Sequence, residues 1–141
     1  MKSSKKLLFI TLILLSLSLY GCSSSISGSI DVTNSRPLES GEALNMYLNL
    51  EYKPPALFGG PAQKVTLDFS TGEGLEILKD GKVIQSDVVD SLTGATKLDY
   101  QVRAKVIKSQ QVIDNVKVSV RADDGASSTV QGPSMTIVPK R

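Results

Sequence analysis

Polar and apolar residues alternate along most of this chain. Leu44, Met46, Leu48, Leu50 and Tyr52 fall on one side of an extended run, with Asn45, Asn49, Glu51 and Lys53 on the other. A period of two marks a strand with one buried face. Tyr47 is the apolar exception on the polar side. The same alternation returns at Val65, Leu67 and Phe69. It is clearest at Leu98, Tyr100, Val102, Ala104 and Val106, and it recurs at Val116, Val118, Val120 and Ala122. Shorter runs at Ser29–Thr33, Leu75–Ile77 and within Thr129–Val138 complete the set. Turn residues separate them: Asn34-Ser35-Arg36-Pro37, Pro54 to Pro61, Thr71-Gly72-Glu73-Gly74, Ser109-Gln110-Gln111 and Asp123-Asp124-Gly125. Asp80-Gly81, between apolar pieces ending at Leu78 and starting at Val83, predicts a two-residue hairpin.

Ser86 to Thr96 carries only a weak pattern and is expected to connect strands. The long runs near 97–108 and 112–122 are expected to pair as a central hairpin. The mature part shows no apolar stripe of period 3.6. About seven or eight short strands spaced by turns predict an all-β fold, a single antiparallel β-sandwich.

The first 21 residues break this pattern. Lys2, Lys5 and Lys6 precede the run Leu7 to Leu15, which fades towards Leu19. A basic start, a short apolar stretch and a small residue before a cut site describe a secretory signal. The run falls short of the roughly 20 residues of a membrane span. Leu19, Gly21 and Cys22 resemble the lipobox of bacterial lipoproteins, with Tyr20 where that family usually has a small residue. The resemblance implies cleavage before Cys22, diacylation of its sulfur and acylation of its new amine. Two or three acyl chains hold a protein firmly to a bilayer where one does not. The expected division is a signal at 1–21, a lipidated tether at 22–28 and one domain at 29–141. In lipoproteins of this kind Ser23 is the sorting position. A serine there implies the outer membrane if the cell has one, and the cell membrane otherwise.

Charge and composition narrow the chemistry. Removing the three signal lysines from the 16 basic residues leaves 13 against 14 acidic ones. This near-neutral balance lacks the clustered cations that bind phosphate backbones, so no nucleic-acid partner is expected. The chain has no His, the commonest side chain for acid–base work and metal binding near neutral pH. Its single Cys is assigned to lipid, which leaves no disulfide. Gly72-Glu73-Gly74 lacks the lysine, third glycine and helix of a phosphate loop and reads as a turn. Asp123, Asp124, Asp87, Asp90 and Asp114 supply carboxylates but no spaced calcium loop. No enzyme activity, cofactor or metal is expected.

The region from 29 to 138 also looks like immunoglobulin-like modules of the fibronectin type III or cell-adhesion-related (CARDB) kind. The residues carrying this likeness are Pro37 to Glu42, Val65 to Phe69 running into Thr71–Leu75, Leu92-Thr93-Gly94 before Tyr100–Ala104, and Val116 to Val120. The Cys and Trp pins of antibody domains are absent. Such modules mostly bind or space proteins or glycans, and the fold does not fix which. The expected function is therefore a lipid-anchored module in the cell envelope that contacts another envelope protein. Binding of a ligand or glycan, for uptake or wall attachment, is the alternative. Outward-facing Tyr47 and the loop residues Leu57 and Phe58 are the candidate partner contacts. Leu57 and Phe58 read more readily as caps over one end of the core, because aromatic residues near a small core usually bury.

Overall fold

The computed structural model describes residues 23–33, 36–55 and 60–140. Cys22, Leu57 and Phe58 lie outside them, as do the signal peptide and part of the expected turn at Asn34-Ser35. The described chain folds as an immunoglobulin-like β-sandwich of two main sheets and a small third one. The strands are β1 (Ser25–Val32), β2 (Leu38–Glu39), β3 (Ala43–Lys53), β4 (Gln63–Thr71), β5 (Leu75–Lys79) and β6 (Lys82–Ile84). They continue as β7 (Ser86–Leu92), β8 (Gly94–Ala104), β9 (Val112–Asp114), β10 (Val116–Ala122), β11 (Ser127–Gln131) and β12 (Met135–Val138). One sheet runs β1-β3-β8-β5-β6 and faces a second of order β11-β10-β4-β7. A short β2-β12-β9 sheet closes one end, with β2 and β12 parallel and the other pairs antiparallel.

The alternation fixes which face is buried. Met46, Leu48, Leu50 and Tyr52 of β3 meet Val65 and Leu67 of β4 and Val116, Val118 and Val120 of β10 in one core. Tyr100 and Val102 of β8 join it, and Leu38 and Ile137 plug it at the end with the small sheet. Asp80 (φ 52°) and Gly81 (φ 79°) are both left-handed and form the tight link from β5 to β6. That pair of positive angles is the mirror-image turn that fits the right-handed twist of a hairpin.

Four expectations need correction. The runs near 97–108 and 112–122 do not form a hairpin. β8 pairs with β3 and β5, whereas β10 pairs with β4 and β11 in the other sheet. The connection between them carries β9 and crosses the end of the sandwich. β8 also stops at Ala104, so Val106 is 77% exposed rather than inward. The stretch from Ser86 is no mere connection: β7 is an edge strand on β4. Its pattern is faint because an edge strand is covered on one side only, leaving Val88 exposed. Finally, the first strand begins at Ser25, inside the expected 22–28 tether. Ser25 already pairs with Lys53, and Gly28 with Leu50. Alternating polarity hid this start, because the inward site after Ile26 is a glycine.

That glycine is required. A Cβ on Gly28 would stand 2.6 Å from the Asn49 carbonyl oxygen and 2.8 Å from the Leu50 side chain. Gly28→Ala is expected to destabilise the domain by about 1–3 kcal/mol, the range for overpacking. Urea denaturation of the two forms measures it.

Candidate functional site

Three aspartates, Asp87, Asp114 and Asp124, are committed to the fold. Asp114, at the end of β9, accepts hydrogen bonds from the backbone N–H groups of Gly72 (2.7 Å), Gly74 (3.0 Å) and Leu75 (3.0 Å). It also accepts from the N–H of Asn115 at 2.7 Å. The Gly72-Glu73-Gly74 turn is thus wrapped around a carboxylate rather than open to a phosphate. A Cβ on Gly72 would meet Asp114 Oδ1 at 2.7 Å, so the turn needs glycine to close.

Asp87 of β7 ties the two main sheets together at their open side. Lys79 Nζ of β5 donates to Asp87 Oδ2 at 2.7 Å, and so does Tyr100 Oη of β8, also at 2.7 Å. The Tyr100 ring meets Phe69 of β4 edge to face, with centroids 5.0 Å apart. Burial pushes the Asp87 carboxyl up, but hydrogen bonds from Lys79, Tyr100 and the Val88 N–H outweigh it and hold the group below the usual range. Burial, and then the bond to Asp87, push the Tyr100 phenol well above its ordinary value.

Asp124, in the turn between β10 and β11, does the same at the other end. Tyr52 Oη of β3 donates to Asp124 Oδ2 at 2.5 Å, and the Ala126 N–H donates to Oδ1 at 3.0 Å. Ser24 lies close to both Tyr52 and Asp124. The bond to Asp124 raises the Tyr52 phenol. Partial burial pushes Asp124 up, and Ser24 with the bonds from Tyr52 and Ala126 more than reverses it, so its carboxyl is lowered. The aspartates weighed as calcium ligands are thus spread over separate places. Among the described residues no three His, Cys, Asp or Glu gather as a metal site.

Tyr47 differs from these. It lies on the outer face of the five-stranded sheet, in a cross-strand row between Asp31 of β1 and Asp99 of β8. Lys97 Nζ sits over its ring, 4.0 Å from the centroid, a cation–π contact that braces the ring. In the next row Asn49 Nδ2 donates to Asp31 Oδ2 at 2.8 Å. Beside Lys97 opens a trough of about 510 Å³, lined by Ser27, Ser29, Asn49, Glu51 and Thr96 among others. Small side chains on β1 and β8 leave it open. Sequence reasoning placed Tyr47 on this face but missed Lys97 and the trough. The cue for Lys97 was its place on β8, diagonal to Tyr47 across the strand pair.

No protein-family model matches the chain, and no curated protein sequence does. Among solved structures it is similar to native alpha-2-macroglobulin from Escherichia coli, in a crystal structure spanning domain MG7 to the C-terminus. The TM-score is 0.57 at 14% identity, covering 84% of this chain and 17% of that one. A cryo-EM reconstruction of the native E. coli alpha-2-macroglobulin aligns with a TM-score of 0.52 at 14% identity, covering 81% of this chain and 7% of that one. The chain therefore spans only a small part of the first proteins it matches. A conjugative transposon lipoprotein from Bacteroides eggerthii aligns at 14% identity with a TM-score of 0.41, covering 78% of this chain and 95% of that one. The two alpha-2-macroglobulin likenesses show the sandwich fold alone.

Two tests follow from the aspartates. Asp114→Ala leaves buried N–H groups of Gly74 and Leu75 without their acceptor and is expected to cost about 2–4 kcal/mol, read by thermal or urea unfolding. The lowered Asp87 carboxyl contributes stability that is fully present above the unfolded value of about 3.9 and is lost as pH falls through the lower folded value. The melting temperature should therefore hold from neutral pH to about pH 5 and drop below about pH 4. Asp87→Asn should flatten part of that drop, while Asp124 and Glu42, also lowered, keep the remainder.

Proposed function

We propose that this protein is a lipid-anchored, non-catalytic module of the cell envelope that binds another envelope protein through the outer face of its five-stranded sheet. The observation that carries the reading is Tyr47, an aromatic ring on the polar face of a strand, braced by Lys97 between two aspartates. A ring fixed in this way offers contact area with little conformational freedom to lose on binding, and Tyr is enriched in binding hot spots. The bonded roles of Asp87, Asp114 and Asp124 favour a structural rather than a chemical use of the interior. Acylation of Cys22 and sorting by Ser23 come from the lipobox resemblance and place the module on a membrane, the outer one where the cell has two. Leu57 and Phe58, outside the described residues, stay candidates for the same contact.

The trough beside Lys97 supports a second reading, a glycan or small ligand held by Ser29, Asn49 and Glu51. Sugar sites combine a ring face with such polar groups, but here the Tyr47 face already carries Lys97.

Mass analysis of the purified full chain should find acyl groups on Cys22, and Cys22→Ser should release the protein from the membrane fraction. A photo-crosslinker at Asn45, on the same face, should trap one defined envelope protein. Tyr47→Ala should abolish that product while leaving the melting temperature within a few degrees. A crosslinked product unaffected by Tyr47→Ala would overturn the protein-contact reading. Binding of wall glycans lost on Asn49→Ala would replace it with the second.

A further inference from the structure

The two ends of this sandwich are not equivalent, and the difference fixes how it would stand on a membrane. β1 and β3 run antiparallel with Ser25 opposite Lys53, so the start of β1 and the end of β3 share one end. Gly94 opposite Tyr52 and Gln63 opposite Leu92 bring the β7–β8 turn to the same end. Tyr52, Asp124 and Ser24 close it. At the other end lie β2, β9 and β12, with Asp114 gripping the Gly72–Gly74 turn and Lys140 beside Glu39 and Ser40. Eleven residues of β3 at about 3.3 Å each separate the two ends by roughly 35 Å.

The chain outside the described residues joins at Ser23. Three residue steps separate Cys22 from Ser25, about 10 Å at full extension. Ser25 is already in the sheet, opposite Lys53. Little slack remains for the domain to tumble on its anchor. The end itself suits a bilayer surface. Two of its turns are short, at Thr93-Gly94 and Asp123-Asp124-Gly125, and the longer β3–β4 connection joins at the same end. Lys53 and Lys64 stand there against Glu51, Asp123 and Asp124, a small net charge that leaves no strong field at the headgroups.

The geometry points to a fixed, upright stance: the end built from Ser24, Tyr52 and Asp124 rests on the headgroups, and the end bearing β9 faces away. This rests on the reading of Cys22 as acylated. It gives the exposed Ile113 and Val106, at the outer end, access to partners from beyond the membrane plane. The Tyr47 row projects sideways, parallel to the bilayer.

The chain has no Trp, so single Trp reporters are clean. The full acylated protein is reconstituted in vesicles of phosphatidylethanolamine and phosphatidylglycerol carrying a headgroup-attached quencher. Thr93→Trp should be quenched several-fold more strongly than Ile113→Trp. Ser127→Trp, a second reporter at the membrane end, should match Thr93→Trp and guards against a misfolded variant. Equal quenching at both ends, in protein shown by mass to be acylated and bound to vesicles, overturns the upright stance alone. Absence of acyl groups from Cys22 overturns the anchor reading, and the stance with it.

Discussion

A sandwich without a disulfide needs some other way to keep its two sheets from sliding, because apolar contact has no preferred direction. Directional hydrogen bonds supply it, since each needs its partner in a defined place. In this chain the acceptors are aspartates. Asp87 joins β7 to Lys79 and Tyr100 of the opposite sheet, Asp124 joins the β10–β11 turn to Tyr52, and Asp114 binds the small sheet to the turn after β4. These ties favour a single registration between the layers, in which the alternate side chains interlock into one core. Among the described residues no buried side-chain polar atom lacks a partner, so none of the ties is half made.

The faces of the long strands were legible because their two-residue period is a direct consequence of one side being covered. Leu48, Leu50, Val102 and Val118 are buried as their alternation implies. The Asp80-Gly81 hairpin was legible too, since its chemistry is local. What could not be read is which strand lies beside which. Runs of similar alternation and length carry no address, so β8 and β10 looked like partners while belonging to different sheets. Edge and end elements were fainter still. β7 is covered on one side, and β2 and β9 are only two and three residues long.

The candidate site divides along the same line. Tyr47 stood out as an aromatic residue out of phase with its strand, a purely local signal. Lys97, which holds its ring, is fifty positions away in sequence and is adjacent only because β3 and β8 pair. The aspartates read as solvated turn residues, and their partners could not be read because most are distant in sequence: each of Asp87, Asp114 and Asp124 meets donors from the chain itself. Carboxylates saturated by N–H and O–H groups have few lone pairs left for an ion.

The eight-residue pairing of β1 with β3 has a mechanical consequence. The chain enters at one end of the sandwich and Lys140 lies at the other. Tension drawn between an attachment before Ser23 and a load at the far end runs lengthwise along β1. It shears the whole ladder at once instead of unzipping it bond by bond. Such an arrangement yields only when all of its rungs fail together, which makes the domain a stiff link rather than an extensible one.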